Sequence, residues 1–275
     1  SGGFHTCALM TTGGIKCWGN GLEGELGDGN GTNSPVPIDV PGLGSGVMAI
    51  SGGGFHTCAL MTTGLVKCWG RYISKTPVDV AGLSDVTAIS AGGTHTCART
   101  SSGGMKCWGG NSNSQLGNGS TVDSATAVDV AGLPSGVAAV GAGNLYSCAL
   151  LTNGSVKCWG YNAYGQLGNG TTTNSPTLVD VTNLSGVAEL STGWAYICAR
   201  LATSETKCWG GNSLVSSSIP YVAVATGVTG LSAGPSTCVW KSGGGLQCWG
   251  TNGYGQLGNN STTDAYAPVD VVGFP

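Results

Sequence analysis

The stretch "HTCALMTTGLVKCWG", from His56 to Gly70, contains two cysteines separated by a short polar segment and ends on Trp-Gly. Near-copies recur along the whole chain of 275 residues. Their cysteine pairs are Cys7 and Cys17, Cys58 and Cys68, Cys97 and Cys107, Cys148 and Cys158, Cys198 and Cys208, and Cys238 and Cys248. Self-similarity at a period of about 40–50 residues is typical of propellers and repeat arrays.

The repeats are of two lengths. Four of them contain a Gly/Asn/Thr-rich loop such as "GQLGNGTTTNSP" (Gly165–Pro176), which the second and fifth lack. We predict a single domain over residues 1–275, with repeats at about 1–46, 47–85, 86–136, 137–186, 187–227 and 228–275. The junction "SGVAAVG" (Ser135–Gly141) has no counterpart at either end of the sequence. One repeat should therefore lack a strand, so either the chain is a segment of a longer protein or a strand edge stays open.

Each repeat reads as four short strands. In the second repeat these are "VMAIS" (Val47–Ser51), "HTCALM", "LVKCWG" and "PVDV", which are short apolar or alternating runs. Thr62-Thr63-Gly64 separates the two middle strands and suits a hairpin loop. Because no window shows a helical period, the sequence predicts an all-β fold.

The cysteine spacing predicts a disulfide in every hairpin. When the hairpin is folded about Thr63, Cys58 falls opposite Cys68, since both are equally far from the turn. Opposed residues on antiparallel strands have Cα atoms about 4.5–5.5 Å apart, which a disulfide can span. Buried free thiols are the alternative, and zinc is a weaker one because each hairpin supplies only two ligands. Disulfides persist in oxidising compartments, so we expect an extracellular or cell-surface protein.

Composition excludes several classes of partner. Charged residues make up only 8% of the chain, with 10 basic and 13 acidic side chains, while 51 residues are glycine. Nucleic-acid binding needs clustered Lys and Arg, so we expect no nucleic-acid partner. No run of about 18 apolar residues occurs, so we expect no membrane insertion.

A resemblance to a known family emerges at "KCWGYNAYGQLGNGTTTNSPT" (Lys157–Thr177). This stretch resembles the repeat of the regulator-of-chromosome-condensation family of β-propellers, as does "GGFHTCAL" at Gly2–Leu9 and at Gly53–Leu60. The resemblance covers essentially the whole chain and implies a propeller of six four-stranded blades. The best-known members of the family have seven blades, and the paired cysteines are an addition here. Functions differ among members, so the resemblance implies a fold and no site residues.

Ten of the 23 charged residues occupy two repeat positions. The lysines are Lys16, Lys67, Lys106, Lys157 and Lys207, and the aspartates are Asp39, Asp79, Asp129, Asp180 and Asp270. We predict that each aspartate meets the lysine of the following repeat, in the order Asp39–Lys67, Asp79–Lys106, Asp129–Lys157, Asp180–Lys207 and Asp270–Lys16. The two exceptions, Ala223 and Gln247, would then face each other. A ring of lysines that binds an anion is the alternative.

No catalytic constellation stands out. His5, His56 and His95 occupy equivalent positions, where structural hydrogen bonding is favoured over a metal site. No Ser-His-Asp order, phosphate loop, HExxH motif or close carboxylate pair occurs. We therefore expect no enzyme activity and no cofactor. The tryptophans after the second cysteines should pack between neighbouring repeats.

Candidate contacts with a partner are residues of the variable loops and two tryptophans, Trp194 and Trp240, that break the repeat pattern. These are Arg71, Tyr72, Tyr161, Tyr164, Trp194, Trp240 and Tyr254. Candidate glycosylation sites at loop sequons are Asn30, Asn118, Asn169 and Asn259. Asn-Gly sequences also make good turns, and that alternative stays open.

Three functions are compatible with these features. The favoured one is a non-enzymatic extracellular structural or surface protein that self-assembles into a filament or sheath, because the chain is poorly charged and rich in predicted disulfides. The second is a secreted protein-binding module or inhibitor that uses its loops. An enzyme is disfavoured. The expected partners are other copies of the chain or an unidentified protein.

Overall fold

The computed structural model describes residues 2–211, 216–222, 225–234 and 236–274. In these residues the chain forms 23 β-strands and no helix, as the short strand-like runs predict. No helix long and apolar enough to cross a membrane occurs in them. Ala223, which the charge pattern set against Gln247, lies outside the described residues.

Within each sheet, strands that are consecutive in the chain are hydrogen-bonded neighbours. The first sheet has three described strands, β1 (His5–Leu9), β2 (Ile15–Gly19) and β3 (Ser34–Asp39). The second and third sheets have four each: β4 (Val47–Gly52), β5 (His56–Met61), β6 (Val66–Gly70), β7 (Ser74–Asp79), and β8 (Val86–Ala91), β9 (His95–Thr100), β10 (Met105–Gly109), β11 (Ser124–Asp129). The first sheet therefore shows the one-strand deficit expected from the repeat alignment.

The remaining three sheets repeat the same sequential order. They are β12 (Val137–Ala142), β13 (Tyr146–Leu151), β14 (Val156–Gly160), β15 (Ser175–Asp180); β16 (Val187–Thr192), β17 (Tyr196–Leu201), β18 (Thr206–Gly211), β19 (Ser216–Val222); and β20 (Val228–Ser232), β21 (Ser236–Lys241), β22 (Leu246–Gly250), β23 (Ala265–Asp270). Each sheet is one blade of a β-propeller. In the second blade the two middle strands are largely buried, whereas the fourth is mostly exposed.

The chain divides into two compact units, Ser1–Ser147 and Cys148–Pro275. The first unit has a core around Leu26, Leu43 and Trp69 and another around Leu60 and Trp108. In the second unit a core forms around Tyr196, Val239 and Trp249 together with the disulfide between Cys198 and Cys208. The single domain predicted from the repeats stays a prediction.

The predicted disulfides are confirmed. Cys58 lies opposite Cys68 in the register of β5 and β6, with their Cα atoms 4.1 Å apart and a sequence separation of 10. The other five hairpins have the same separation and join Cys7 to Cys17, Cys97 to Cys107, Cys148 to Cys158, Cys198 to Cys208, and Cys238 to Cys248. No free cysteine is found among the described residues, so the alternative of buried free thiols is wrong. Equal distance from the hairpin turn is therefore sufficient to bring each pair together.

The predicted charge pairing between repeats is wrong. Lys67 Nζ lies 2.8 Å from Asp79 Oδ1 in its own blade, because the register of β6 and β7 places the two residues opposite each other. The same pairing within a blade joins Lys16 to Asp39, Lys106 to Asp129 and Lys157 to Asp180. Asp270 accepts a hydrogen bond of 2.9 Å from Gln247 Nε2 in place of a lysine, and Lys207 lies opposite Val222. These aspartates thus pair with a side chain on the neighbouring strand of their own blade.

Candidate protein-binding surface

The three histidines are buried and bonded to the next repeat. His5 Nε2 lies 2.7 Å from Thr57 Oγ1, and His56 Nε2 lies 2.7 Å from Thr96 Oγ1. His95 Nε2 lies 2.8 Å from Ser147 Oγ. All three imidazoles are at most 5% exposed. The histidines therefore join neighbouring blades through hydroxyl groups.

The pair formed by His95 and Ser147 lacks the geometry of a catalytic dyad. Ser147 Oγ donates a hydrogen bond of 2.8 Å to the carbonyl oxygen of Gln115, so the hydroxyl must accept from the imidazole Nε2–H. A general base would need an unprotonated Nε2 facing the hydroxyl proton. His5 and Thr57 show the same arrangement, since Thr57 Oγ1 donates to the carbonyl oxygen of Glu25 at 3.0 Å. These hydroxyls are structural links rather than nucleophiles.

Burial also determines the charge of the histidines. It lowers the pKa of His5 and of His56 from 6.5 to about 4. The same effect lowers the pKa of His95 to about 3. The Nδ1 atoms of His5 and His95 have no hydrogen-bond partner among the described residues, so protonation would place an unpaired N–H⁺ in the interior. The three side chains are neutral near pH 7.

The loop that follows the third strand of a long repeat docks on the next blade. Trp69 Nε1 donates a hydrogen bond of 2.8 Å to the carbonyl oxygen of Glu25, and Trp209 Nε1 donates one of 3.0 Å to that of Gln166. Both indole rings are fully buried. Trp249 follows the short fifth repeat, and its buried Nε1 has no partner in the described part of the chain. Trp69 and Trp209 therefore pack against the preceding long repeat, and its loop supplies the hydrogen-bond acceptor for each indole.

Loop asparagines at the candidate glycosylation sites act in turns. Asn118 Oδ1 accepts hydrogen bonds from Ser120 N and Asn111 Nδ2, at 3.1 and 3.3 Å. Asn169 and Asn259 accept the equivalent bonds from Asn162 and Asn252. In the first repeat Asn30 Nδ2 donates to Asp28 at 2.8 Å. The structure thus gives these asparagines a role in the loops, and their glycosylation stays a prediction.

An arginine lies among aromatic rings at one end of the first two blades. Arg71 Cζ is 5.1 Å from the ring centroid of Phe55 and 4.8 Å from that of Tyr72. Its Nη2 donates a hydrogen bond of 2.9 Å to the Tyr72 hydroxyl. Phe4 approaches Phe55 with ring centroids 6.3 Å apart. We refer to Phe4, Phe55, Arg71 and Tyr72 as the Arg71 cluster.

The Arg71 cluster is open to solvent and locally strained. Tyr72 is 87% exposed and Phe4 is 66% exposed, whereas Arg71 and Phe55 are partly buried. Tyr72 also adopts a φ of 61°, a left-handed conformation that costs a residue with a Cβ about 1–2 kcal/mol. Large exposed apolar side chains that persist in a folded protein often mark interaction sites.

The other predicted contact residues lie in the second unit. Tyr161 and Tyr164 pack edge to face with centroids 6.2 Å apart, and Tyr254 is 98% exposed. Trp194 is half exposed, as is Trp240, which packs against Phe274 at 5.8 Å. The structure therefore places all of these aromatic side chains at or near the surface, in smaller groups than the Arg71 cluster.

Models of the "Regulator of chromosome condensation (RCC1) repeat" match this chain at residues 13–60 and 153–199 and at residues 86–115 and 137–166. Together these matches cover about half of the sequence. The chain belongs to the RCC1 repeat family.

The similarity of this RCC1-repeat chain extends to proteins of very different size. It is 30% identical over 179 residues to the E3 ubiquitin-protein ligase HERC2 of Homo sapiens, a match that covers 64% of this chain and 3% of HERC2. Yeast RCC1 (Prp20), solved bound to Kap60, superimposes with a TM-score of 0.84 at 19% identity, over 98% of this chain and 73% of that one. The ectodomain of the receptor kinase CR4 of Physcomitrella patens gives 0.60 at 22% identity, over 90% and 59%. The two structures show the propeller fold.

Two members of the Arg71 cluster were not among the contacts predicted for this RCC1-repeat chain. Phe4 and Phe55 precede the histidine in the first two repeats and look like part of the repeat motif. The third repeat has Thr94 at that position, and the fifth has Ala195. A change of residue type between repeats was therefore the signal that could have identified the two phenylalanines.

Proposed function

We propose that this RCC1-repeat protein is a non-enzymatic protein-binding propeller that works outside the cell. The observation that carries the proposal is the Arg71 cluster, in which exposed rings surround a guanidinium at one end of the first two blades. Aromatic residues and arginine are enriched in the energetically dominant parts of protein interfaces. Phe55, Arg71 and Tyr72 therefore form the centre of the proposed surface.

The buried chemistry of the protein supports a binding role over catalysis. The histidines donate their Nε2 protons to hydroxyls that are themselves bonded to loop carbonyls or buried between blades. Lysines and aspartates at the repeat positions form exposed ion pairs within their blades, which leaves them unsuited to bind an anion as a ring. These groups are used to join strands and blades, so the surface side chains are free to recognise a partner.

Two observations support a location outside the cell. All twelve cysteines are joined in hairpin disulfides, which persist in oxidising compartments. The same fold occurs in the ectodomain of the receptor kinase CR4. Alkylation of the unreduced protein in denaturant tests this part of the proposal, because most of the cysteines are buried in the fold and the reduced thiols of a cytosolic protein would take up the reagent once exposed.

Photo-crosslinking from the proposed surface tests the binding role. Tyr72 is replaced with a benzophenone amino acid, and the control replaces Tyr266, which is 69% exposed on β23. The proteins are irradiated in the extracellular fraction of the producing cells. We expect a discrete product with a second protein from position 72 and none from position 266.

The same experiment distinguishes the structural alternative. A ladder of products that contain only this chain, with a native mass that rises with concentration in light scattering, would support a self-assembling filament or sheath. Equal labelling from positions 72 and 266, or no product from position 72, would remove the Arg71 cluster as a binding surface.

A further inference from the structure

We propose that the Arg71 cluster binds an acidic peptide segment of a partner protein, with one carboxylate on Arg71 and an adjacent aromatic or aliphatic side chain on Phe55 and Phe4. The proposal rests on the binding function above and names the chemistry of the partner.

The second repeat contains two cations that form no ion pair with another described residue. They are Arg71, which follows β6, and Lys75 on β7, both within the segment "RYISK" (Arg71–Lys75). The ion pairs between described residues join Lys16, Lys67, Lys106, Lys157 and Arg200 to acids, and Arg71 and Lys75 form none of them. In a chain with only 10 basic residues, two cations without an ion-pair partner within five residues attract a negatively charged partner.

The geometry of Arg71 favours a carboxylate as the ligand. The rings of Phe55 and Tyr72 lie against the guanidinium, with centroids 5.1 and 4.8 Å from Cζ. A guanidinium has five N–H donors, and the hydrogen bond from Nη2 to the Tyr72 hydroxyl uses one of them. A planar guanidinium that aromatic rings hold in place loses little freedom when it binds a carboxylate through two parallel hydrogen bonds.

The apolar part of the cluster fits a neighbouring side chain of the same peptide. Phe4 and Phe55 pack at 6.3 Å with an angle of 40° between their planes, and Phe4 remains 66% exposed. An aromatic or aliphatic side chain placed on these rings would bury apolar area beside the ion pair and exclude water from it. The cluster therefore combines one charged contact with one apolar contact, as a short linear motif requires.

The repeats show that the fold does not need these side chains. The backbone N–H of Arg71 donates to the carbonyl oxygen of Phe55 at 2.9 Å. In the third repeat the N–H of Gly110 makes the same bond to Thr94, also at 2.9 Å. The third blade thus makes the same backbone bond with a glycine and a threonine, so this bond does not require the side chains of Phe55 and Arg71.

This equivalence supplies a test variant that keeps the fold. The double variant F55T/R71G gives the second repeat the residues that the third repeat already has. R71K keeps the charge and removes the planar donors, and Y266S is the control at an exposed ring outside the cluster. All three should form their disulfides and unfold at temperatures close to that of the wild type.

Phage display of random linear peptides on the intact, unreduced protein supplies the probes. We expect enriched sequences that pair Asp or Glu with an aromatic or aliphatic residue within two positions. Synthetic versions should bind F55T/R71G at least about tenfold more weakly than the wild type, because a charge-assisted contact and a stacked ring are both lost. R71K should weaken binding several-fold, Y266S should leave it unchanged, and replacement of the peptide's Asp by Asn should weaken it.

Three results would overturn the proposal. Peptides that bind F55T/R71G as tightly as the wild type would place the binding site elsewhere and leave the proposed protein-binding function standing. Equal binding of the Asp and Asn peptides, or no enrichment at all, would remove the acidic ligand. Self-association of the wild type that F55T/R71G abolishes, without peptide binding, would make a second copy of this chain the occupant.

Discussion

Acidification should destabilise the first unit through its buried histidines. The pKa of His56 is about 4 in the fold, against 6.5 in an unfolded chain. Because the unfolded chain takes up the proton first, the stabilisation is present above about pH 6.5 and is lost as the pH falls from about 6.5 to about 4. The shift corresponds to about 3 kcal/mol for this histidine, taken as an upper bound.

The expected signal is a slope of stability against pH. Between the two pKa values each buried histidine contributes up to about 1.4 kcal/mol per pH unit to the free energy of unfolding. His5 and His95 have lowered pKa values as well, so the wild type should lose stability steeply below about pH 6.5. Urea unfolding of the unreduced protein, followed by tryptophan fluorescence at several pH values, measures this slope.

Two variants distinguish the effect of protonating His56 from the effect of its hydrogen bond to Thr96. H56Q keeps an N–H donor toward Thr96 and cannot titrate, so its slope should be smaller than that of the wild type by the contribution of one histidine. T96V removes the hydroxyl partner and keeps the buried imidazole, so it should lower stability at every pH and retain the slope. A wild-type stability that stays level over this range, or an unchanged slope in H56Q, would refute the assignment of neutral buried histidines.

Two further sets of variants test the loop contact and the corrected ion pairs. Gly27 and Gly42 both have positive φ, 75° and 78°, but a Cβ on Gly27 would lie 2.7 Å from Trp69 Nε1 whereas nothing lies within 4 Å of one on Gly42. We expect G42A to cost about 1 kcal/mol and G27A about 2 kcal/mol more in denaturant unfolding, and equal losses would contradict the docking of the loop on Trp69. For Lys67 and Asp79, whose carboxylate side chain is 68% exposed, a double-mutant cycle should give a coupling below about 1 kcal/mol. The cycle of Lys67 with Asp39 should give none, and a clear coupling there would restore the pairing between repeats.

The hairpin disulfides could be predicted because they depend only on local geometry. Cys58 and Cys68 are equally distant from one tight turn, and the register of β5 and β6 follows from that turn. The two cysteines are 10 residues apart in every repeat, so the loop between them has a constant length and the pairing can be predicted by counting from the turn. Strand number and the one-strand deficit of the first sheet followed from the same alignment of repeats.

The ion pairs were mispredicted because their strands are joined by loops of different lengths. Lys67 and Asp79 are 12 residues apart, whereas Lys16 and Asp39 are 23 apart. A count from the turn therefore could not pair the third strand with the fourth, and the sequence did not distinguish the aspartate of the same repeat from that of the previous one. The pairing of Gln247 with Asp270 shows that the edge strand accepts a neutral donor at the same position.

Only two of the four residues of the Arg71 cluster were predicted from the sequence. Arg71 and Tyr72 stood out because they replace the loop that other repeats carry, whereas Phe4 and Phe55 occur at one shared position and looked like part of the motif. The contact of Phe55 with Arg71 joins residues from two different connections of one blade, so only the folded sheet brings them together.

A repeat fold of this kind separates the side chains that determine structure from those that are free to vary. Backbone hydrogen bonds at the end of the blade are the same for Arg71 and Phe55 as for Gly110 and Thr94. By contrast, a Cβ added to Gly27 would lie 2.7 Å from Trp69 Nε1, so Gly27 cannot take a side chain without a shift of the indole. F55T/R71G should therefore leave stability almost unchanged while G27A lowers it, although the substitutions lie at the junction of the same two blades. If F55T/R71G proved as destabilising as G27A, Phe55 and Arg71 would have a structural role. The Arg71 cluster would then no longer be a candidate binding surface.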